Sequence, residues 1–355
     1  MNQFNSQLTT LQTPIMILSE TFHDIDPMEQ DDGPHPVCVI DYPESFQEIM
    51  GYLRAILQKD ERSERAVELT SMALRFNPAN YTTWWFRRQC LASLSVPPEN
   101  LTTNFTYFSP KYIERDLQLA SQLGGPNPKN YQVWYHRRSL LEQSFSEGSH
   151  DDLTPVEEEL EYVATVLKED AKNYHAWSHR QWILKTVNHD KIWEDELIFS
   201  EYLILDDIRN NSAWNQRWFV VHRGSKSPCN ADSELQYALE KGIMDAYNEC
   251  PWRYYVAIVR EQQRYLSKDE FSSLVQACER DMIHAQEQVK MSIAGNVSEC
   301  THLSSALMDI LEMKGGFDAY STAKAIAQEL ETLDPIRKKY WKLRSTNLES
   351  KLLRE

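Results

Sequence analysis

Polar and apolar positions alternate with a helical period through the middle of the chain, and a short signature recurs at the same phase. It reads Asn80-Tyr81-Thr82-Thr83-Trp84-Trp85-Phe86-Arg87-Arg88, then Asn130-Tyr131-Gln132-Val133-Trp134-Tyr135-His136-Arg137-Arg138. A third copy is Asn173-Tyr174-His175-Ala176-Trp177-Ser178-His179-Arg180-Gln181. A fourth, Asn210-Asn211-Ser212-Ala213-Trp214-Asn215-Gln216-Arg217, loses the Tyr. A fifth keeps Asn248 and Trp252, with Pro251 before the Trp and Tyr255 at the Arg position. The Trp-to-Trp intervals are 50, 43, 37 and 38 residues, in the range of stacked helical repeats.

Each signature predicts a helix. Asn77-Pro78 and Asn127-Pro128 supply a capping side chain followed by a proline suited to a first turn. From there Asn130, Tyr131, Trp134, Arg137, Arg138 and Leu141 fall on one face. Upstream of each signature runs a second amphipathic stretch, such as Leu160-Tyr162-Val163-Val166-Leu167 or Leu197-Ile198-Tyr202-Leu203-Leu205. Short polar loops join the two, giving antiparallel helix pairs that bury their apolar faces only by stacking. The fold expected is all-α, a superhelical solenoid of helix hairpins. The recurring Trp reads as packing, and the recurring Arg as a group that caps carbonyls or pairs with an acid on the next repeat.

The opposite face is the place to look for chemistry. Lys129, Gln132 and His136 lie about 140–160° around the helix from Trp134. Lys172, His175 and His179 are their counterparts one repeat on; the first repeat has Ala79, Thr82 and Phe86 there, and the fourth Arg209, Ser212 and Gln216. Solvated surface explains such a row by itself, but a lysine in a first turn also suits a bound anion, because free N–H groups lie beside it.

Composition narrows the function classes. The net charge of −16 over 355 residues, with no basic block, argues against nucleic acid and anionic membrane as partners. The cysteines at 38, 90, 229, 250, 278 and 300 show no C-x-x-C and read as reduced thiols in a cytoplasmic protein. There is no phosphate loop and no H-E-x-x-H, and His175 with His179 lacks a third metal ligand, so no metal site is expected on this chain. Residues 1–35, rich in Gln, Thr, Asp and Pro, read as a disordered tail, and residues 36–355 as a single repeat domain. A helix pair is expected to start near Ser45, with inter-helix loops at Gly124-Gly125-Pro126, from Ser144 to Thr154 and from Gly224 to Asp232. A closing helix is expected within Arg337–Arg354.

Three segments carry a resemblance: Asp60-Glu61-Arg62-Ser63-Glu64-Arg65-Ala66, Pro128-Lys129-Asn130-Tyr131-Gln132-Val133-Trp134 and Asp170-Ala171-Lys172-Asn173-Tyr174-His175-Ala176-Trp177. They look like the protein prenyltransferase α subunits, in particular the one shared by farnesyltransferase and geranylgeranyltransferase type I, over roughly residues 35 to 260. The resemblance implies a crescent of hairpins that wraps a β subunit, and an enzyme active only as the heterodimer. The β subunit would bind zinc and most of the prenyl diphosphate, with magnesium as a further cofactor. The reaction implied is transfer of a farnesyl or geranylgeranyl group to the cysteine of a C-terminal C-a-a-X motif. Lys129 matches the lysine that contacts the leaving diphosphate, and Gln132 the glutamine that hydrogen-bonds the substrate's terminal carboxylate. His175 lies on the equivalent row and lines the same cleft. Tyr131, Asn173 and Tyr174 match residues that the family places at the subunit junction, although their phase puts them on the Trp side. Two alternatives share the repeat pattern: a non-catalytic tetratricopeptide-like scaffold, and a Rab geranylgeranyltransferase α subunit.

Overall fold

The computed structural model describes residues 14–95, 106–147, 152–224, 230–292 and 300–355. Among these residues the regular structure is helical, with no strand. The chain forms two compact units, Met1–Val187 and Asn188–Glu355. The first contains α1 (Pro14–Thr21), α2 (Glu44–Gln58), α3 (Glu64–Phe76), α4 (Tyr81–Leu94), α5 (Pro110–Gly124), α6 (Tyr131–Glu147), α7 (Thr154–Glu169) and α8 (Tyr174–Val187). The second contains α9 (Asp190–Asp206), α10 (Asn211–Arg223), α11 (Ala231–Met244), α12 (Glu249–Gln262), α13 (Lys268–Ser292), α14 (Thr301–Lys314), α15 (Phe317–Leu333) and α16 (Lys338–Leu352).

Consecutive helices pack as hairpins, α3 with α4, α5 with α6, α7 with α8, α9 with α10 and α11 with α12. Within the first unit the second helix of each pair also touches its counterpart in the next, α4 against α6 and α6 against α8. In the second unit α10 meets α12 in the same way. Trp84, Trp134 and Trp214 lie at these seams, and Trp84, Trp214 and Trp252 are fully enclosed. Gly242 lets α11 approach α12, since a Cβ there would come within 2.6 Å of the Trp252 ring. The expected closing helix is α16, which buries Trp341 and Leu348.

The tail expected to be disordered is part of the fold from residue 14 onward. Leu18, Phe22 and Ile25 are buried in one cluster with Ile49, Tyr52 and Leu53 of α2. Arg65 bonds Asp24 through both nitrogens of its fork and also reaches the Thr21 carbonyl. A composition poor in apolar residues overall still placed these three at helical spacing, enough to dock one short helix. Residues 1–13 lie outside the described residues, as do parts of two expected loops, 148–151 and 225–229.

The Asp60-to-Ala66 segment has a local reason. Ser63 caps α3 by accepting the Ala66 N–H at 3.2 Å, while Glu61 bonds the Arg65 guanidinium at 2.6 Å. The helix caps elsewhere differ from the expected Asn-Pro pair. Asn77 and Asn127 close turns one step earlier, accepting the N–H groups of Ala79 and Lys129. Capping falls to the signature asparagines, with Asn80 Oδ1 accepting from Thr83 and Asn130 Oδ1 from Gln132. An asparagine two residues ahead of a backbone N–H closes a local turn as readily as it caps a helix.

Candidate functional site

The signature is a device for joining repeats. The carbonyl six residues before each Trp accepts that Trp's indole N–H: Pro78 from Trp84, Pro128 from Trp134, Ala171 from Trp177, Ile208 from Trp214, Ala246 from Trp252. The second lone pair of the same oxygen takes the amide of the next repeat's asparagine. Asn130 Nδ2 donates to Pro78 at 2.7 Å, Asn173 Nδ2 to Pro128 at 3.2 Å and Asn248 Nδ2 to Ile208 at 2.8 Å. One carbonyl thus fixes a tryptophan within its hairpin and an asparagine from the following one.

The signature Arg does both things expected of it. Arg87 binds Asp116 of α5 through Nε and Nη2 at 2.5 and 2.9 Å, and caps the Val67 carbonyl of α3 at 2.7 Å. Arg137 repeats this with Glu159 of α7 and the Leu117 carbonyl, and Arg217 binds Glu234 of α11 in the same forked manner. Each of these buried acids takes a further donor from the second helix of its own hairpin. Asp116 accepts from His136, Glu159 from His179 and Glu234 from Tyr254, and Gln216 donates to Glu196 in the same manner. Where the fifth signature has Tyr255 in place of Arg, its hydroxyl reaches Asp281 of α13 at 3.1 Å.

These contacts correct the expected opposite row. His136 and His179 are core groups between hairpins, not members of a surface row with Lys129 and Lys172. Burial pulls the His136 pKa down to about 4, although the Asp116 carboxylate beside it acts the other way. At Asp116 burial works to raise the pKa, but the His136 hydrogen bond and the Arg87 charge outweigh it and hold the carboxyl below its usual range. Arg88 Nη1 faces His136 Nδ1 at 3.5 Å, so the neutral ring carries its proton on Nε2 and donates it to Asp116.

Four of the expected site residues meet at one end of α6 and α8. Lys129 lies in the turn before α6, where its N–H bonds Asn127 Oδ1 at 3.3 Å, so it is not a first-turn residue with free N–H groups around it. Its side chain is 74% exposed, with Nζ 3.6 Å from Asp170 Oδ2. Asp170 also closes the equivalent turn of the next repeat by accepting the Lys172 N–H. Asn173 is buried, caps α8 through the Ala176 N–H and donates to Pro128, the residue beside Lys129. The Lys129 turn is therefore pinned to the start of α8, where Tyr174 and His175 follow, their rings edge to face at 5.6 Å.

Tyr131 and Tyr174 are 62% and 76% exposed, the reverse of the Trp-side placement their phase suggested. Only Asn173 of that set faces the core. Gln132, in the first turn of α6, is 9% exposed, and its side-chain amide has no hydrogen-bond partner among the described residues. The sequence reading missed Trp85 and Tyr135, which stand exposed one turn beyond Tyr81 and Tyr131. Their spacing of four from each signature Tyr was the available signal. No group of three or more His, Cys, Asp or Glu side chains placed to hold a metal occurs among the described residues. No described helix is long and apolar enough to cross a membrane.

A family model described as the protein prenyltransferase alpha subunit repeat matches residues 63–94, 113–144, 156–187 and 193–224, the four hairpins from α3 to α10. The chain is 36% identical over 333 residues to the protein farnesyltransferase/geranylgeranyltransferase type-1 subunit alpha of Dictyostelium discoideum, covering 93% of this chain and 92% of that protein. It is 37% identical over 341 residues to the Solanum lycopersicum protein of the same description, covering 93% and 90%. Among solved structures, a chain of Candida albicans protein geranylgeranyltransferase-I complexed with GGPP matches with a TM-score of 0.70 at 25% identity, covering 92% of this chain and 98% of that one. The stacked hairpins from α3 to α10 are thus prenyltransferase alpha-subunit repeats. Within that class, the chain belongs to the family of protein farnesyltransferase/geranylgeranyltransferase type-1 alpha subunits.

Proposed function

We propose that this chain is the α subunit of a heterodimeric protein prenyltransferase, which moves a farnesyl or geranylgeranyl group from its diphosphate to a C-a-a-X cysteine. The observation that carries the reading is Lys129, an exposed ammonium whose one ion pair among the described residues is Asp170 at 3.6 Å, in a turn pinned to the start of α8 by the Asn173 bond to Pro128. An exposed pair of this kind contributes about 0–1 kcal/mol, so the lysine is free to turn to a stronger anion. A diphosphate leaving group is such an anion, and its charge grows as the bond to the prenyl carbon breaks. Coulomb attraction at ~4 Å in an effective dielectric of ~20 is about 4 kcal/mol. Expressed mainly in the transition state, it corresponds to roughly 10²–10³ in rate.

Gln132 brings an amide with no partner among the described residues, suited to the terminal carboxylate of the peptide. His175, Tyr131 and Tyr174 line the same end of the hairpins, where the partner and the prenyl diphosphate would meet this chain, and Asn173 holds the wall in place. The donor set here does not fit zinc, since His179 is committed to Glu159 and Arg137 shares that acid. As the family resemblance implies, zinc would be held by the β subunit, where it would keep the substrate thiol ionised, and magnesium would sit with the diphosphate. No metal cluster that includes a cysteine occurs among the described residues. We propose the cytoplasm as the compartment of the reaction.

The test is Lys129→Ala in the assembled heterodimer, assayed for prenyl transfer onto a C-a-a-X peptide. We expect assembly unchanged and kcat reduced about 10²–10³-fold. A normal kcat in the assembled variant would remove Lys129 from the reaction.

A further inference from the structure

Arg88 follows the signature Arg87 on α4 but has a different environment. Arg87 is spent on Asp116, whereas Arg88 meets no carboxylate among the described residues. Its guanidinium stacks 4.8 Å over the Tyr135 ring, and its one hydrogen-bond contact among the described residues is the long approach to His136 Nδ1. Burial lowers its pKa, and Tyr135 offsets that only in part. The head group faces a cavity of about 220 Å³ whose walls include Trp85, Gln89, Thr106, Ser139 and Glu142. Glu142 forms no ion pair with Arg88 across that space.

A guanidinium partly withdrawn from water without an acid is costly, and its planar fork is matched best by a carboxylate. The cavity has room for one side-chain head and is far too small for a prenyl diphosphate. Around it stand Tyr81, Trp85, Tyr131 and Tyr135, all exposed on the α4 and α6 surface. Exposed Tyr and Trp beside an unpaired Arg is the composition of a protein interface, with the arginine as an anchor. We propose that Arg88 and its cavity receive an acidic side chain of the β subunit, forming a buried ion pair that fixes the partner on the α4–α6 face. This rests on the heterodimer reading above.

The experiment measures the dissociation constant of the full-length chain with its β subunit, comparing wild type with Arg88→Gln, Arg88→Lys and Arg88→Glu. Lys338→Gln, at an exposed position at the start of α16, controls for loss of one charge. Truncating one side of a desolvated pair raises the dissociation constant roughly thirtyfold or more, so Arg88→Gln weakens assembly by that factor. Arg88→Glu weakens it further, Arg88→Lys lies between wild type and Gln, and Lys338→Gln changes little. The thermal midpoint of the free variants stays near wild type, which a purely internal role for Arg88 would not allow. Equal affinity of wild type and Arg88→Glu overturns the proposal while leaving the heterodimer intact. Normal assembly with a raised KM for the C-a-a-X peptide overturns it too, since the anion would then belong to the substrate. A wild-type chain that captures no β subunit removes both this inference and the function on which it rests.

Discussion

His136 is enclosed by the Trp84 ring at 4.4 Å between centroids, by Asp116 at Nε2 and by Arg88 at Nδ1. Such a site favours the neutral ring, so its folded pKa of about 4 lies below the unfolded value near 6.5. The sign follows directly. Above pH 6.5 both states hold the ring neutral and nothing is lost. As pH falls from 6.5 toward 4 the unfolded chain takes up a proton that the folded chain refuses, and stability drops. The full loss is about 3 kcal/mol. Asp116 contributes only about 0.3 kcal/mol by pH 4, because its unfolded value lies at 3.8 and its folded value lower still. The fold itself supplies the control, since Gln216 meets Glu196 at 2.7 Å where the second and third signatures use His136 and His179. His136→Gln therefore keeps a hydrogen bond to Asp116 while removing the titration. Urea unfolding at pH 7 and pH 4 should show wild type losing about 3 kcal/mol more than the variant over this range. Equal losses would mean that His136 does not carry the pH dependence.

At the scale of the helix, the period was plain in the sequence but the orientation was not. Assigning one face to Trp134 left the opposite side for solvent, and that holds for a helix packed on a single neighbour. α6 packs against α5, α4 and α8, so Gln132 and His136 are covered although they lie far from Trp134 around the wheel. The exposed strip falls between, at Tyr131, Tyr135 and Arg138. Lys129 was legible as a site candidate because the turn that holds it repeats in sequence at Lys172, whereas the cap was misplaced because Asn127 and Asn130 both suit a turn. Those two roles can be separated by substitution. Asn130→Ala removes the cap of α6 and the amide bond to Pro78, each about 1 kcal/mol, for a total near 2 kcal/mol. Asn130→Ser restores a capping oxygen but not the reach to Pro78, and should recover about half. Denaturant midpoints with an unchanged slope are the readout. Serine as damaging as alanine would place the whole effect in the bond between hairpins.

Across whole units, the hairpins are joined by charged clusters as well as by apolar packing. Arg137, Glu159 and His179 tie the second hairpin signature to the third, with the Arg137 side chain also lying 3.5 Å from the Tyr162 ring centroid. Stacked repeats touch only their neighbours, so stability is close to a sum of hairpin and seam terms. Removing one member of a buried cluster leaves charge without a partner. Glu159→Leu should therefore cost about 3–5 kcal/mol, more than most seams of this kind can lose while melting together. The combined variant Arg137→Met, Glu159→Leu, His179→Phe replaces the cluster with apolar groups and should regain most of that loss, because the desolvation of three polar groups disappears with their attraction. The distinction shows in the shape of the transition as well as its midpoint. With the seam broken in Glu159→Leu, helices before and after it should unfold in separate steps, seen as calorimetric and van't Hoff enthalpies that no longer agree. The combined variant should melt cooperatively again. If it stays as unstable as Glu159→Leu, the cluster contributes net attraction that apolar packing cannot replace, and the repeats are held in register by charge.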